Sequence, residues 1–298
     1  MGYINIFVSK DAYLFVKNEQ LFLKNKDKQI DYPLEDINSI MIENLETTIS
    51  TYALSKFAQN GILTFVCNKN HLPCGVILPY CEHYQTLSVH NFQTAVSKPL
   101  NKQLWQSIIK NKIKNQNEVL NICGKYDKLL DFYQTVTSGD GTNNEAKASL
   151  RYFKELFGKN FVRRDDSNDI NAFLNYGYSI VRGFVARSVV VHGLTPFLGI
   201  FHSNGFNQFN LADDLIEVFR PVVDLFVKIY LSDEKTLSSD VKAKIYNLVN
   251  VDVLIDGQKQ PLSYAIDMLV QSYVRSIKEN KNVLKNIDIC GLEIHEYE

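Results

Sequence analysis

A histidine and several acidic residues occur close together between residues 199 and 221. His202 lies in a segment rich in glycine, serine and asparagine, and Asp213 and Asp214 follow at the start of a predicted helix. One imidazole nitrogen and several carboxylate oxygens in a short stretch suit a hard divalent metal such as Mg²⁺ or Mn²⁺. Alternatively, the aspartates only complement the positive end of the helix dipole, and His202 is an ordinary loop residue.

Helical periodicity separates the two neighbouring aspartates. At about 100° per residue, the leucines and valines of the predicted helix 211–230 form one apolar stripe. Asp214 and Glu217 fall on one flank of this stripe, where side chains three residues apart can enter a cleft together. Asp213 falls on the far side with Arg220, where side chains point to water. We therefore expect Asp214 to matter for a metal site and Asp213 to matter little.

A further carboxylate, Glu145, lies in the first turn of a helix predicted over residues 142–157. It sits at the edge of the apolar stripe of that helix, beside a basic ridge formed by Lys147, Arg151 and Lys154. A single glutamate that opens a helix is most often a surface residue favoured by the dipole. Taken alone, this segment is compatible with a site and with a solvated surface.

Cysteine and histidine residues are concentrated between residues 67 and 83, but their spacing does not favour zinc. The residues are Cys67, His71, Cys74, Cys81 and His83. Structural zinc sites usually contain cysteine pairs about two to four residues apart, and the cysteines here are more widely spaced. We expect reduced thiols and ordinary imidazoles at these positions.

Charge is unevenly distributed, although 32 basic and 33 acidic residues give a formal net charge of −1. Basic residues predominate in two stretches, 98–128 and 145–164. Such stretches are most often solvated helix faces, but they also permit a phosphate-binding surface. The candidates for phosphate contacts are Arg151, Lys154, Arg163 and Arg164.

Length and composition indicate a globular protein. The 298 residues are enough for about two domains, and 45% hydrophobic with 22% charged residues excludes a disordered, collagen-like or disulfide-scaffold chain. No apolar run approaches the roughly 20 residues that cross a bilayer, and the first residues do not resemble a signal peptide. We expect a cytoplasmic protein without a membrane segment.

The pattern of apolar residues changes near residue 80, which predicts the α+β class. The first part has the pattern of short strands, at 3–8, 13–16, 20–23, 37–42 and 62–66, with one helix at 48–59. The later part has helical periodicity, at 99–122, 125–137, 142–157, 169–191, 211–230 and 262–279, with one strand at 251–255 that turns at Asp256-Gly257. These patterns predict a β-rich N-terminal domain (1–80), a linker (81–98) and a mainly α-helical C-terminal domain (99–298).

Four segments in fixed order together resemble the CRISPR-associated spacer-acquisition integrases. The resemblance extends over the whole chain and is nearest to the variants that accompany a single large RNA-guided effector nuclease. The segments are Glu145 with Tyr152-Phe153 and Leu156-Phe157-Gly158, Asp169 to Tyr178, Gly193-Leu194-Thr195-Pro196-Phe197-Leu198-Gly199 leading to His202, and Asp213 to Asp224.

The resemblance implies a metal-dependent DNA integrase and endonuclease. It assigns Glu145, His202 and Glu217 as catalytic residues that hold Mg²⁺ or Mn²⁺, and Asp214 as a further acidic position near the metal. Many relatives have aspartate where this chain has Glu217, whose additional methylene changes the coordination distance. Divalent ions suit the attack of a 3′-hydroxyl on a phosphodiester, and this exchange of one phosphodiester for another requires no ATP.

The resemblance also implies partners. They are DNA, as both the inserted fragment and the CRISPR repeat, a second copy that dimerises through the β-rich domain, a small second acquisition protein in a heterohexamer, and the effector nuclease of the same locus. Two other functions share the same sequence features. One is a free-standing metal-dependent nuclease that acts on branched DNA, and the other is a non-catalytic scaffold.

Overall fold

The structure is a computed structural model that describes residues 2–26, 28–79, 85–165 and 167–295. The chain divides into two compact units, residues 1–82 and 83–298. The first unit is built mainly of strands and the second mainly of helices, which confirms the predicted α+β class. Among the described residues, no helix combines the length and the apolar character that crossing a bilayer requires.

Strands dominate the first unit. Its elements are β1 (Ile4–Val8), β2 (Tyr13–Lys17), β3 (Gln20–Lys24), β4 (Gln29–Pro33), β5 (Ile37–Ile42), β6 (Thr48–Ile49), α1 (Thr51–Gln59), β7 (Leu63–Cys67) and β8 (Pro73–Ile77). They form two sheets, with strand orders β1-β5-β7-β8 and β4-β3-β2-β6. Strands β4, β6 and β8 were not predicted.

Strand β5 is buried along its whole length, so its buried residues do not alternate with exposed ones. The strand pairs in parallel with β1 and β7, and all of its residues are buried. Two polar residues of β5 are satisfied by Asn5, whose Oδ1 accepts hydrogen bonds from Ser39 Oγ at 2.5 Å and Asn38 Nδ2 at 3.2 Å. The helix predicted from residue 48 begins at Thr51 because Ser50 caps it, accepting a hydrogen bond from the Ala53 amide at 3.2 Å.

The second unit is mainly helical. Its elements are α2 (Thr86–Thr94), α3 (Lys98–Ile122), α4 (Leu129–Thr135), α5 (Asn144–Phe157), α6 (Asp169–Val191), α7 (Asn210–Leu215), α8 (Arg220–Tyr230), α9 (Ser239–Tyr246), β9 (Val251–Ile255), β10 (Gln258–Pro261), α10 (Leu262–Glu279) and β11 (Ile287–Ile294). Helices α2 and α9 were not predicted, and α2 falls within the range predicted as linker. The predicted strand β9 has β10 and β11 as antiparallel neighbours, so the prediction of a single late strand was wrong.

The predicted helix 211–230 is interrupted. After α7 the chain makes a 3₁₀ turn over Ile216–Val218, and α8 begins at Arg220 with Pro221 in its first turn. Proline lacks the amide hydrogen that an uninterrupted helix needs at this point, whereas a first turn tolerates it. A single angular projection over 211–230 therefore does not hold beyond residue 215.

Candidate metal and DNA site

Residues from α3, α5, α8 and the neighbouring turns line one pocket of the helical unit. Its charged lining consists of Lys112, Glu145, Arg163, Arg164, Glu217, Arg220 and Asp224. Two of the three predicted catalytic residues, Glu145 and Glu217, therefore share a pocket with two of the four predicted phosphate contacts, Arg163 and Arg164.

Glu145 is positioned by the start of α5. The Asp140 carboxylate caps this helix, since Oδ1 accepts a hydrogen bond from the Asn144 amide at 2.9 Å and Oδ2 accepts one from the Glu145 amide at 3.0 Å. The cap fixes the first turn, and the side chain of Glu145 remains 29% exposed. Its Oε1 atom accepts a hydrogen bond from Lys112 Nζ at 2.7 Å.

Glu217 lies deeper, on the 3₁₀ turn between α7 and α8, with its side chain 7% exposed. Its Oε2 atom accepts a hydrogen bond from Lys112 Nζ at 2.5 Å, and its Oε1 atom accepts one from Arg220 Nε at 2.6 Å. Burial alone would raise the pKa of Glu217, but Lys112 and Arg220 lower this pKa to about 2. The carboxylate is therefore ionised throughout the neutral range.

Lys112 was not singled out as a site residue from the sequence. Its side chain is 8% exposed, and its ammonium lies between the two glutamates. Burial would lower the pKa of Lys112, but the two carboxylates raise it overall. The position of Lys112 on α3 was a signal available in the sequence. Lys112 lies four residues after Ile108 and three after Ile109, so it shares a helix face with these two fully buried residues.

His202 is held by Asp214. The Nδ1 atom of His202 lies 2.6 Å from Asp214 Oδ1, and Asp214 also accepts hydrogen bonds from the backbone amides of Ile200 at 2.6 Å, Phe201 at 3.0 Å and His202 at 3.2 Å. The bond to Asp214 raises the pKa of His202, against the opposing effect of burial. A carboxylate has about four lone-pair sites, so Asp214 is fully engaged in orienting His202 and its loop. It does not present an open oxygen for a metal in this arrangement.

Asp213 and Arg220 do not point to water as the helical projection predicted. Asp213 accepts hydrogen bonds from Arg182 Nε at 2.5 Å and Nη2 at 3.1 Å. Arg220 lies 4.5 Å from the Tyr178 ring centroid and binds Glu217. The expectation for both residues was wrong, because the break before α8 rotates Arg220 and because an arginine from α6 reaches Asp213.

The four basic candidates differ in their surroundings. Arg164 is exposed at the pocket, and Arg163 donates hydrogen bonds to Asn171 at 3.2 Å and Asn175 at 2.8 Å. Arg151 instead binds Asp127, with Nη2 2.9 Å from Oδ1. Lys154 is exposed on α5 and is not among the residues that line the pocket.

The donor set fits a hard divalent cation in part. The Glu145 and Glu217 carboxylates converge on a single positive charge, the Lys112 ammonium, as they would on a metal. Among the described residues, no group of three or more His, Cys, Asp or Glu side chains is arranged to hold a metal ion. The three predicted ligands are thus present, but His202 is not assembled with the two glutamates around one point.

In the segment 67–83, the described cysteine and histidine side chains have separate surroundings. Cys67 Sγ lies 3.7 Å from the Met41 sulfur, Cys74 is exposed, and His71 Nδ1 lies 3.1 Å from the Glu43 carbonyl oxygen. The other two members, Cys81 and His83, fall outside the described residues.

Solved structures of low sequence identity share the fold. A casposase bound to an integration product matches with a TM-score of 0.77 and 18% identity, over 100% of this chain and 96% of that chain. A Cas6-RT-Cas1–Cas2 complex matches with a TM-score of 0.70 and 16% identity, over 94% of this chain and 35% of that chain. The fold of this chain is therefore the fold that the casposase and the Cas1-containing complex share with it.

Sequence comparison defines the family. The family model of the CRISPR associated protein Cas1 matches residues 6–247. The CRISPR-associated endonuclease Cas1 of Neisseria meningitidis serogroup C is 36% identical over an alignment of 306 residues, which covers 100% of this chain and 100% of that protein. The chain belongs to the CRISPR associated protein Cas1 family, which confirms the resemblance seen in its four segments.

Proposed function

We propose that this protein is a metal-dependent DNA integrase and endonuclease that inserts short foreign DNA fragments into a CRISPR array as new spacers. The observation that carries the proposal is the convergence of Glu145 and Glu217 on one positive charge, in a pocket that also contains three arginines. Family membership supports it, since the similar Neisseria protein is named an endonuclease and the similar casposase is bound to an integration product.

In this proposal Glu145 and Glu217 supply carboxylate oxygens to Mg²⁺ or Mn²⁺, and His202 supplies an imidazole nitrogen. Asp214 acts through His202 by fixing the orientation of its ring. Arg220 holds Glu217 in place through its hydrogen bond to Oε1. When bound, the metal would polarise the attacking 3′-hydroxyl and stabilise charge on the phosphate oxygens.

The arginines of the pocket give the DNA its position. Arg163 and Arg164 carry positive charge beside the two glutamates, so a phosphodiester that approaches the carboxylates also meets cations that attract it. Arg163 is held by two asparagines and stacks 5.2 Å from the Tyr178 ring centroid. Such a preorganised guanidinium loses little freedom when a phosphate binds.

The proposed partners follow from the similar proteins. The Cas1-containing complex with a similar fold also contains Cas2, which supports a small second acquisition protein as a partner of this chain. We also assign dimerisation to the predicted β-rich domain, residues 1–80, and the catalytic role to the predicted helical domain, residues 99–298.

A purified joining assay tests the function. The chain, its partner protein, a short duplex with free 3′-hydroxyls and a plasmid with the repeat array are incubated with Mg²⁺ or Mn²⁺. We expect joined product from the wild type, and none from Glu145→Ala, His202→Ala or Glu217→Ala. Asp240→Ala is the matched control, because Asp240 is also a first-turn acidic residue, on α9.

The products also separate the alternatives. Cleaved branched DNA without joined product, and without a need for the partner, would indicate a free-standing nuclease. DNA binding without metal-dependent turnover would indicate a scaffold. Full joining by any of the three variants would refute the assignment of that residue.

A further inference from the structure

We propose that Lys112 is the internal counter-ion of the two-glutamate site and that a divalent cation must displace its ammonium in order to bind. The inference rests on the proposed metal-dependent function. It assigns to Lys112 a role in metal loading, that of a positioning residue that competes with the metal.

The first support is geometric. Lys112 Nζ lies 2.7 Å from Glu145 Oε1 and 2.5 Å from Glu217 Oε2, so the ammonium takes the place where the two carboxylates converge. Oxygen ligands of Mg²⁺ lie at roughly 2.0–2.1 Å. The same two oxygens cannot hold the ammonium at hydrogen-bond distance and also enclose a metal between them.

The second support is charge balance. Glu145 and Glu217 contribute two negative charges, and Lys112 and Arg220 contribute two positive charges within hydrogen-bond distance of them. The cluster is neutral as it stands. A divalent cation would enter a partly buried site without surplus negative charge, which is unfavourable unless one of the resident cations leaves.

Lys112 is the resident cation that can leave. Arg220 lies against the Tyr178 ring, 4.5 Å from its centroid, as well as binding Glu217. Lys112 has a flexible side chain, and the polar side chains of Gln116 and Ser149 also line the pocket.

Two opposite effects follow for a variant without the ammonium. In Lys112→Met the two carboxylates lose the charge that they share, so the protein without metal becomes less stable. The metal no longer has to displace a cation, so it binds more tightly. A residue that merely supports the fold would produce the first effect without the second.

Calorimetry and thermal unfolding of the full chain test the proposal with Mn²⁺ alone. We expect Lys112→Met to unfold at a lower temperature than the wild type in chelator. We expect its Kd for Mn²⁺ to be lower by about tenfold or more, and its stabilisation by Mn²⁺ to be correspondingly larger. Lys112→Gln, which keeps a hydrogen-bond donor without charge, should change the unfolding temperature in chelator, the Kd for Mn²⁺ and the stabilisation by Mn²⁺ in the same directions.

Lys114→Met is the matched control on the same helix, because Lys114 is exposed and binds Asp288. It should leave the Kd for Mn²⁺ unchanged. A Lys112→Met chain that folds only with Mn²⁺ is the extreme form of the expected result. The inference is overturned if Lys112→Met binds Mn²⁺ no more tightly than the wild type, or if it stays unfolded with Mn²⁺.

Glu217→Gln separates this inference from the proposed function. If the wild type binds Mn²⁺ and Glu217→Gln does not, the metal site stands whatever the outcome for Lys112→Met. If the wild type does not bind Mn²⁺ at Glu217, the metal-dependent function and the role of Lys112 both fail.

Discussion

The Nδ1 atom of His202 lies 2.6 Å from Oδ1 of the fully buried Asp214, and the same carboxylate binds the backbone amide of His202. Oδ1 of Asp214 accepts a hydrogen bond from the Nδ1–H group, so Nε2 is the ring nitrogen left to act as a ligand in the proposed metal site. One side chain thus sets both the tautomer of His202 and the path of its loop, as outer residues of metal sites commonly do.

The two adjacent aspartates should therefore differ strongly. Asp214→Ala leaves three backbone amides and the imidazole without their acceptor, and we expect it to lower joining at limiting Mn²⁺ by roughly 10- to 100-fold. It should also lower the free energy of unfolding by about 2–4 kcal/mol. Asp213→Ala removes a partly exposed ion pair with Arg182, so we expect it to lower the free energy of unfolding by less than about 1 kcal/mol. Joining assays and urea unfolding of both variants check this, and the reverse order would contradict it.

Gly199, which packs against Asp214 and the His202 loop, should also be sensitive to substitution. A Cβ atom at this position would lie 2.3 Å from the His202 carbonyl oxygen and 2.7 Å from Asp214 Oδ2. Gly199→Ala therefore pushes the loop away from the carboxylate. We expect this variant to lose about 1–3 kcal/mol in the free energy of unfolding and to join DNA less well. Gly205→Ala in the same loop is the control, because its Cβ would have no neighbour within 4 Å. Equal unfolding temperatures for the two variants would show that the loop yields without cost.

The predicted ligands should also differ in their effect on folding. Glu217 is buried between Lys112 and Arg220. Removing it leaves Arg220 without this carboxylate and Lys112 with Glu145 alone, so we expect Glu217→Ala to lower the free energy of unfolding by about 3–5 kcal/mol. Glu145→Ala should cost less, because Glu145 is partly exposed and Lys112 keeps Glu217. Urea unfolding in chelator measures both, and equal losses would count against the deep position of Glu217.

A pH dependence of stability should arise from Asp224. Burial raises its pKa from 3.8 to about 6, although the Tyr178 hydroxyl donates a hydrogen bond to it. A folded-state pKa above the unfolded value gives stability that is full below pH 4 and is lost as the pH rises through about 6. The shift in pKa corresponds to a change of roughly 3 kcal/mol in the free energy of unfolding across this pH range.

Asp224→Asn isolates this effect. The variant should gain stability relative to the wild type as the pH rises from 4 to 7, with the difference constant above that range. Glu217 acts in the opposite sense, because its pKa of about 2 gives stability that is lost as the pH falls below 4.5. Both proteins retain Glu217, so its contribution cancels in the comparison. A difference in unfolding temperature that does not change with pH would contradict the prediction.

DNA binding should distinguish the basic residues by their surroundings. We expect Arg164→Ala to weaken binding of all sequences alike and to reduce the slope of log K against log salt by about one. Arg151→Ala should change the slope little, because Arg151 already binds Asp127. Filter binding over a range of salt concentrations measures both slopes. A larger change for Arg151 would place the DNA on the other side of α5.

Local patterns determined much of this protein. Helical periodicity predicted α6 with both of its ends, and strand patterns predicted β1, β2, β3, β5 and β7 within a few residues. The strands were predictable from short runs of β-branched and aromatic residues, both where side chains alternate in burial, as in β2, and where all are buried, as in β5. The four family segments likewise identified Glu145, His202 and Glu217 as candidates without any structure.

Tertiary structure decided how these residues are arranged. Lys112 is 33 positions from Glu145 and 105 positions from Glu217, and it meets both because α3 packs against α5 and the turn before α8. The sequence shows a lysine in a basic stretch, but periodicity describes one element at a time and cannot show which charges face each other. Burial of Glu217 then converts that proximity into strong pairing, because a carboxylate removed from water requires positive charge beside it.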